Sequence, residues 1–116
     1  MNRFEAEVRA RGMTVFAHID HAAGATAVGL SLRPTELLIF GNARTGTPLM
    51  QSVQTFGIDL PLKALVWQDA SGITWLSYND SAFLAHRHHL NGADEPTVNA
   101  MAAALKAIAS KATTQL

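Results

Sequence analysis

Apolar and polar residues alternate along this chain with two periods, and the switches between them mark out its elements. Phe4 and Val8 recur at helical spacing behind Asn2, a residue suited to capping, and Gly12 is placed to end that helix. Thr14 to Asp20 changes to a period of two: Val15, Ala17 and Ile19 point one way, Phe16, His18 and Asp20 the other, which predicts a strand. Asp20 can also cap a short helix from His21 to Val28, stopped near Gly29. Arg33-Pro34 breaks the chain. The unbroken apolar run Leu37-Leu38-Ile39-Phe40, within Thr35 to Phe40, then predicts a strand covered on both sides.

Gly41 to Thr47 has the composition of a loop. Thr47-Pro48 reads as a cap followed by a first-turn proline, opening a short helix to about Phe56 that Gly57 closes. Leu62 to Gln68 and Ile73 to Asn79 form a predicted hairpin around Asp69-Ala70-Ser71-Gly72. Asp80 caps a helix running to about Leu90, ended by Asn91-Gly92. Pro96 opens the last helix, about 96–112, whose apolar stripe is Val98, Met101, Ala102, Leu105, Ile108 and Ala109. Helices between most of the strands predict a two-layer α/β (α+β) fold with a mixed sheet of four to five strands and helices mainly on one face.

At 116 residues the chain has room for one domain, with its core at about 4–90 and the C-terminal helix packed on it. A hydrophobic content of 48% is enough to build that core without cross-links. The absence of cysteine removes disulfides, thiol catalysis and thiolate metal sites, and fits a reducing compartment. Nine basic and nine acidic residues cancel, and the arginines are scattered, so no phosphate-neutralising surface for nucleic acid is expected. No run is apolar enough to span a bilayer, and Met1 to Arg11, with five charges, does not read as a signal peptide. A soluble cytoplasmic protein without a membrane partner is expected.

Candidate chemistry is sparse. The segment Gly41-Asn42-Ala43-Arg44-Thr45-Gly46-Thr47-Pro48 joins a buried strand to a helix start, where free N–H groups can hold an anion. It lacks a P-loop lysine and the dinucleotide glycine spacing, and turn chemistry accounts for the same residues. His18, Asp20 and His21 gather polar side chains at a strand end, where a His–Asp pair could orient an imidazole or hold a metal; Asp20 is equally explained as a cap. His86, Arg87, His88 and His89 lack a carboxylate on their helix face and read as a cationic helix end, so no metal site is assigned. Trp67 and Trp75 fall on the hairpin, and Tyr78 could offer a phenol to a ligand. No serine has a nucleophile-elbow setting.

Five blocks in this order resemble one family: Ile19-Asp20-His21, Thr35-Glu36-Leu37-Leu38-Ile39-Phe40-Gly41-Asn42, Gly46-Thr47-Pro48-Leu49-Met50, Asp59-Leu60-Pro61-Leu62-Lys63 and Tyr78-Asn79-Asp80. It is the bacterial and archaeal domain of unknown function numbered 302, and the likeness covers roughly Phe4 to Leu90. The resemblance implies a compact two-layer α/β fold and a tendency to dimerise, and brings no activity and no cofactor with it. Such domains usually begin with a strand ahead of the first helix, whereas this chain starts in the helix. One strand fewer, or an open sheet edge, is therefore expected, and an open edge can pair with another chain. The expected function is a homodimeric small-molecule-binding module with Asp20, His21, Asn42, Thr47 and Tyr78 as its polar fixtures. The alternatives are an assembly protein without a ligand, or, less favoured, a small hydrolase or isomerase using His21 with Asp20 as its orienter.

Overall fold

In the computed structural model, which describes residues 1–114, helix α1 (Asn2–Ala10) leads into strand β1 (Thr14–Asp20) and the short helix α2 (His21–Ala27). Strand β2 (Thr35–Gly41), helix α3 (Ala43–Ser52) and a 3-10 segment (Gln54–Asp59) follow. The hairpin β3 (Leu62–Gln68) and β4 (Thr74–Tyr78) comes next, then α4 (Ser81–Arg87), a 3-10 turn (Gly92–Asp94) and α5 (Glu95–Thr113). The two-layer α/β arrangement is as the pattern predicts, with four strands in the order β1-β2-β3-β4.

The sheet is antiparallel throughout rather than mixed. An intervening helix predicts a parallel neighbour only if it carries the chain across the sheet to the opposite end. Here α2 and the α3 segment return the chain to the end it left, so each next strand runs back. The β1–β2 register shifts between Val15 and Ala17, and that bulge at Phe16 bends the edge strand.

All of the buried apolar core lies on one side. Leu38 and Phe40 of β2 and Leu62 and Ala64 of β3 meet Phe4 and Val8 of α1, Leu49 of α3, Phe56, Leu84 of α4, and Val98, Met101, Leu105 and Ile108 of α5. Phe4 and Phe40 pack edge to face with ring centres 5.4 Å apart. The stripe predicted for the last helix is the face that reaches this core, with Val98, Met101, Leu105 and Ile108 buried.

α3 stops at Ser52 rather than near Phe56, which lies with Gly57 in the 3-10 segment, and three further helix ends differ from expectation, each for a local reason. Met1, not Asn2, occupies the cap position of α1. α3 begins at Ala43 rather than Pro48, because Asn42 caps it: its side chain accepts from the Arg44 N–H at 2.9 Å. The predicted loop is thus mostly helix, and Pro48 lies inside it, where its missing N–H leaves the Arg44 carbonyl without its helical donor. α4 stops at Arg87 rather than Leu90, because His89 takes a left-handed backbone (φ 57°) that no helix can continue.

Candidate functional site

The residues singled out in the sequence separate into groups. The β1–β2 register sets Asp20 against Glu36 and Thr14 against Gly41, so Asp20 and His21 lie at one end of the sheet and Asn42 at the other. At about 3.3 Å per residue that is roughly 20 Å. Tyr78, paired with Ala64 and so level with Leu38 in the middle of β2, lies on the edge strand two strands away from β2. Only Asn42 and Thr47 are brought together.

Asp20 is exposed and spends its carboxylate capping α2, accepting from the Ala23 N–H at 2.9 Å. His21 is exposed in the first turn of that helix. His18 does not pair with Asp20: its Nε2 lies 3.1 Å from Glu36 Oε1 across the β1–β2 ladder. Of the histidines read as a helix end, His88 has a further role. Its Nε2 meets Asp59 Oδ2 at 2.5 Å, with both side chains largely buried, while Arg87 approaches the other carboxylate oxygen at 3.5 Å. The His88 ring also packs on Phe56, centres 4.9 Å apart. This pair ties the 3-10 segment to α4. Sequence reasoning missed it because its members are 29 positions apart.

Concavity gathers around the start of α3. A cleft of about 120 Å³ opens between β2, α3 and α5, with Leu60, Leu62 and Met101 as apolar lining and Arg11, Asn42 and Thr45 as polar lining. A second hollow, of about 190 Å³, shares Gly41, Asn42, Gly46 and Leu60 and extends to Phe16, Thr47 and Met50. Gly46 lines both. A Cβ there would come 3.3 Å from Leu60 Cδ1, a tight contact that the Leu60 side chain would have to yield to by a few tenths of an ångström. A broader groove of about 460 Å³ lies between Met1, Phe4, Trp75, Leu76 and Ala112, with Arg3 as its one charged lining residue. It is roomier and also carries Asn2, Thr74 and Thr113, but two hollows meet at α3's capped start through Gly41, Asn42, Gly46 and Leu60, and there the candidate site is placed.

On the hairpin, Trp67 and Trp75 stack with ring centres 6.3 Å apart. Trp67 Nε1 donates to Ser77 Oγ at 2.9 Å and Trp75 Nε1 to Asp69 Oδ2 at 2.8 Å. The Trp75 indole, with the backbone N–H groups of Ile73 and Ser71, holds the Asp69 carboxyl below its ordinary value of 3.8.

A family model described as "Domain of unknown function DUF302" matches residues 1–108. The crystal structure of an uncharacterised conserved DUF302 protein from Bacillus stearothermophilus superposes with a TM-score of 0.85 at 19% identity, covering 96% of this chain and 86% of that one; it shows the shared fold. Among curated proteins, the "Fluoride-specific ion channel FluC 1" of Brucella suis is 50% identical over 101 residues, which are 87% of this chain and 40% of that protein. The protein of the same name in Brucella abortus is 50% identical over 101 residues, 37% of its length. The chain thus spans about two fifths of the curated relatives it matches.

Proposed function

The chain belongs to the DUF302 family, and within it we propose a homodimeric module that binds a small, mostly apolar molecule carrying one anionic or carbonyl group. The observation that carries this reading is the cleft at the start of α3, where Arg11, Asn42 and Thr45 meet an apolar lining. A guanidinium, an amide and a hydroxyl supply donors for an oxygen-bearing head, and Leu60, Leu62 and Met101 suit a short apolar body. Asp20, His21 and Tyr78 have no part in it, and Thr47 lines only the neighbouring hollow. The Asp20 carboxylate is spent on the α2 cap, and its neighbours Glu36 and His18 are paired with each other on an exposed surface, so binding is favoured over hydrolysis or isomerisation.

The curated relatives suggest a setting for such a module. Among the described residues, no helix is long and apolar enough to cross a membrane. We infer that in the longer channel proteins conduction belongs to the part this chain does not match, and that a domain of this kind serves beside it as a ligand-responsive or assembling element.

Native mass spectrometry of protein purified from its own host tests the ligand. Extra mass on the folded species that disappears on denaturation supports it. Asn42→Ala is a poor probe, since loss of the cap alone costs about 0.5–2 kcal/mol. Arg11→Gln and Ala104→Leu are better, the first removing the cation and the second filling the cleft. Both should lose the adduct while unfolding close to wild type; an adduct retained by both places the ligand elsewhere.

A further inference from the structure

The sheet has a second face that no core residue shares. The register puts Ile19 beside Leu37, Leu37 beside Leu65, Ala17 beside Ile39, and Trp67 beside Trp75. Directly paired residues lie on the same side of a sheet, so these form one apolar surface across all four strands. Not one belongs to the core on the helix side. Trp75 is 49% exposed and Ile19 39%. We propose that this face is where a second copy of the chain docks, sheet against sheet. The proposal deepens the self-association half of the reading above and rests on it.

The chemistry favours burial of this face. Both indole N–H groups already have acceptors within the chain, Ser77 and Asp69, so covering the rings strands no donor. Stacked tryptophans are the residues that anchor interface cores. Lys63, paired with Ile39, is the one charged side chain among the strand pairs on this face, which gives little for an anionic membrane or a charged partner to recognise. A second copy presents the same mostly apolar surface, with Lys63 and the Asp69 carboxylate that holds Trp75 as its charges, as a two-fold interface requires.

Size agrees. Four strands at about 4.8 Å, each about six residues long at about 3.3 Å, make a plan of roughly 19 by 20 Å. That plan is about 380 Å², and because side chains corrugate it the accessible area is larger, approaching the ~600 Å² per partner buried by the smaller specific interfaces. The edges are less suited to pairing: β1 is bulged and carries His18 and Asp20, and β4 is short. A dimer through this face replaces the edge pairing expected from the sequence.

Sedimentation equilibrium across a concentration series decides it, run on the wild type, Leu65→Lys and Trp75→Lys, with circular dichroism to confirm folding. The wild type should be a dimer, and each lysine should raise its dissociation constant by at least about a hundredfold, because it places an unpaired cation in an apolar contact. The chain's two tryptophans both lie on this face, so wild-type emission should move to longer wavelength as dilution separates the dimer, a readout that needs no variant. A wild type that stays monomeric overturns the self-association reading and this proposal together. A dimer that survives both substitutions, with emission unchanged on dilution, overturns this surface alone. Emission that moves to shorter wavelength when phosphatidylglycerol vesicles are added to the dimer also overturns it, in favour of a lipid.

Discussion

Leu38 and Ile39 are neighbours in β2 and nearly equal in size, yet Leu38 is fully buried and Ile39 only half so. The same contrast runs along the strand, with Phe40 under the helices and Leu37 on the far side. A run of four apolar residues reads as a strand covered on both faces, and among the described residues the buried core covers only one, leaving Leu37 and Ile39 partly exposed on the other. Helices α1, α3, α4 and α5 all bring buried residues to the first face, whereas α2 buries none. The difference teaches that apolar continuity in a strand measures demand for cover, which a second molecule can meet as well as a helix.

The sharpest way to break this comparison is to truncate one residue from each face. Phe40→Ala removes a fully buried ring in contact with Phe4, and should cost about 3–5 kcal/mol in urea unfolding. Ile39→Ala, measured at concentrations where the chain is monomeric, should cost less, about 1–2 kcal/mol, since part of its surface keeps its water without a partner. Equal costs would mean that the second face is packed within the monomer.

The polar fixtures on the two sides extend the contrast on a smaller scale. His88→Ala, beneath the helices, removes the partner of Asp59 and the packing on Phe56, and should cost about 1–3 kcal/mol. The Asp69–Trp75 contact at the hairpin is more open to water and should matter less. Its direction with pH follows from the lowered Asp69 value: a carboxylate held down in the fold stabilises at pH above its ordinary value, and that contribution fades as pH falls through the lowered one. Asp69→Ala should therefore lower the melting temperature slightly at neutral pH, and the gap from wild type should close in acid. A gap that persists at the lowest pH would assign the effect to turn geometry instead of charge.

The strand bounds of β1, β2 and β3 were legible, because alternation, apolar runs and flanking breakers agree there. Strand direction was not, since a helix between two strands looks the same in sequence whether or not it crosses the sheet. The α3 start was misplaced because two local signals competed, and the Asn42 cap prevailed over Thr47-Pro48. Of the site, Asn42 and Thr47 were legible through their position between strand and helix. Thr45 lies in the same segment, whereas Arg11 and Met101 come from separate elements and converge on it only after folding. The bare face was hidden for the same reason: sequence shows that Leu37 and Ile39 are apolar, not whether anything covers them.

The most direct test of the two-face account is the melting temperature as a function of protein concentration, for the wild type and Leu65→Lys side by side. If a second copy covers this face, mass action raises the wild-type value as concentration increases and leaves the variant's nearly flat. Parallel dependence in both proteins, or none in either, would contradict the claim that the open face joins two copies of this chain.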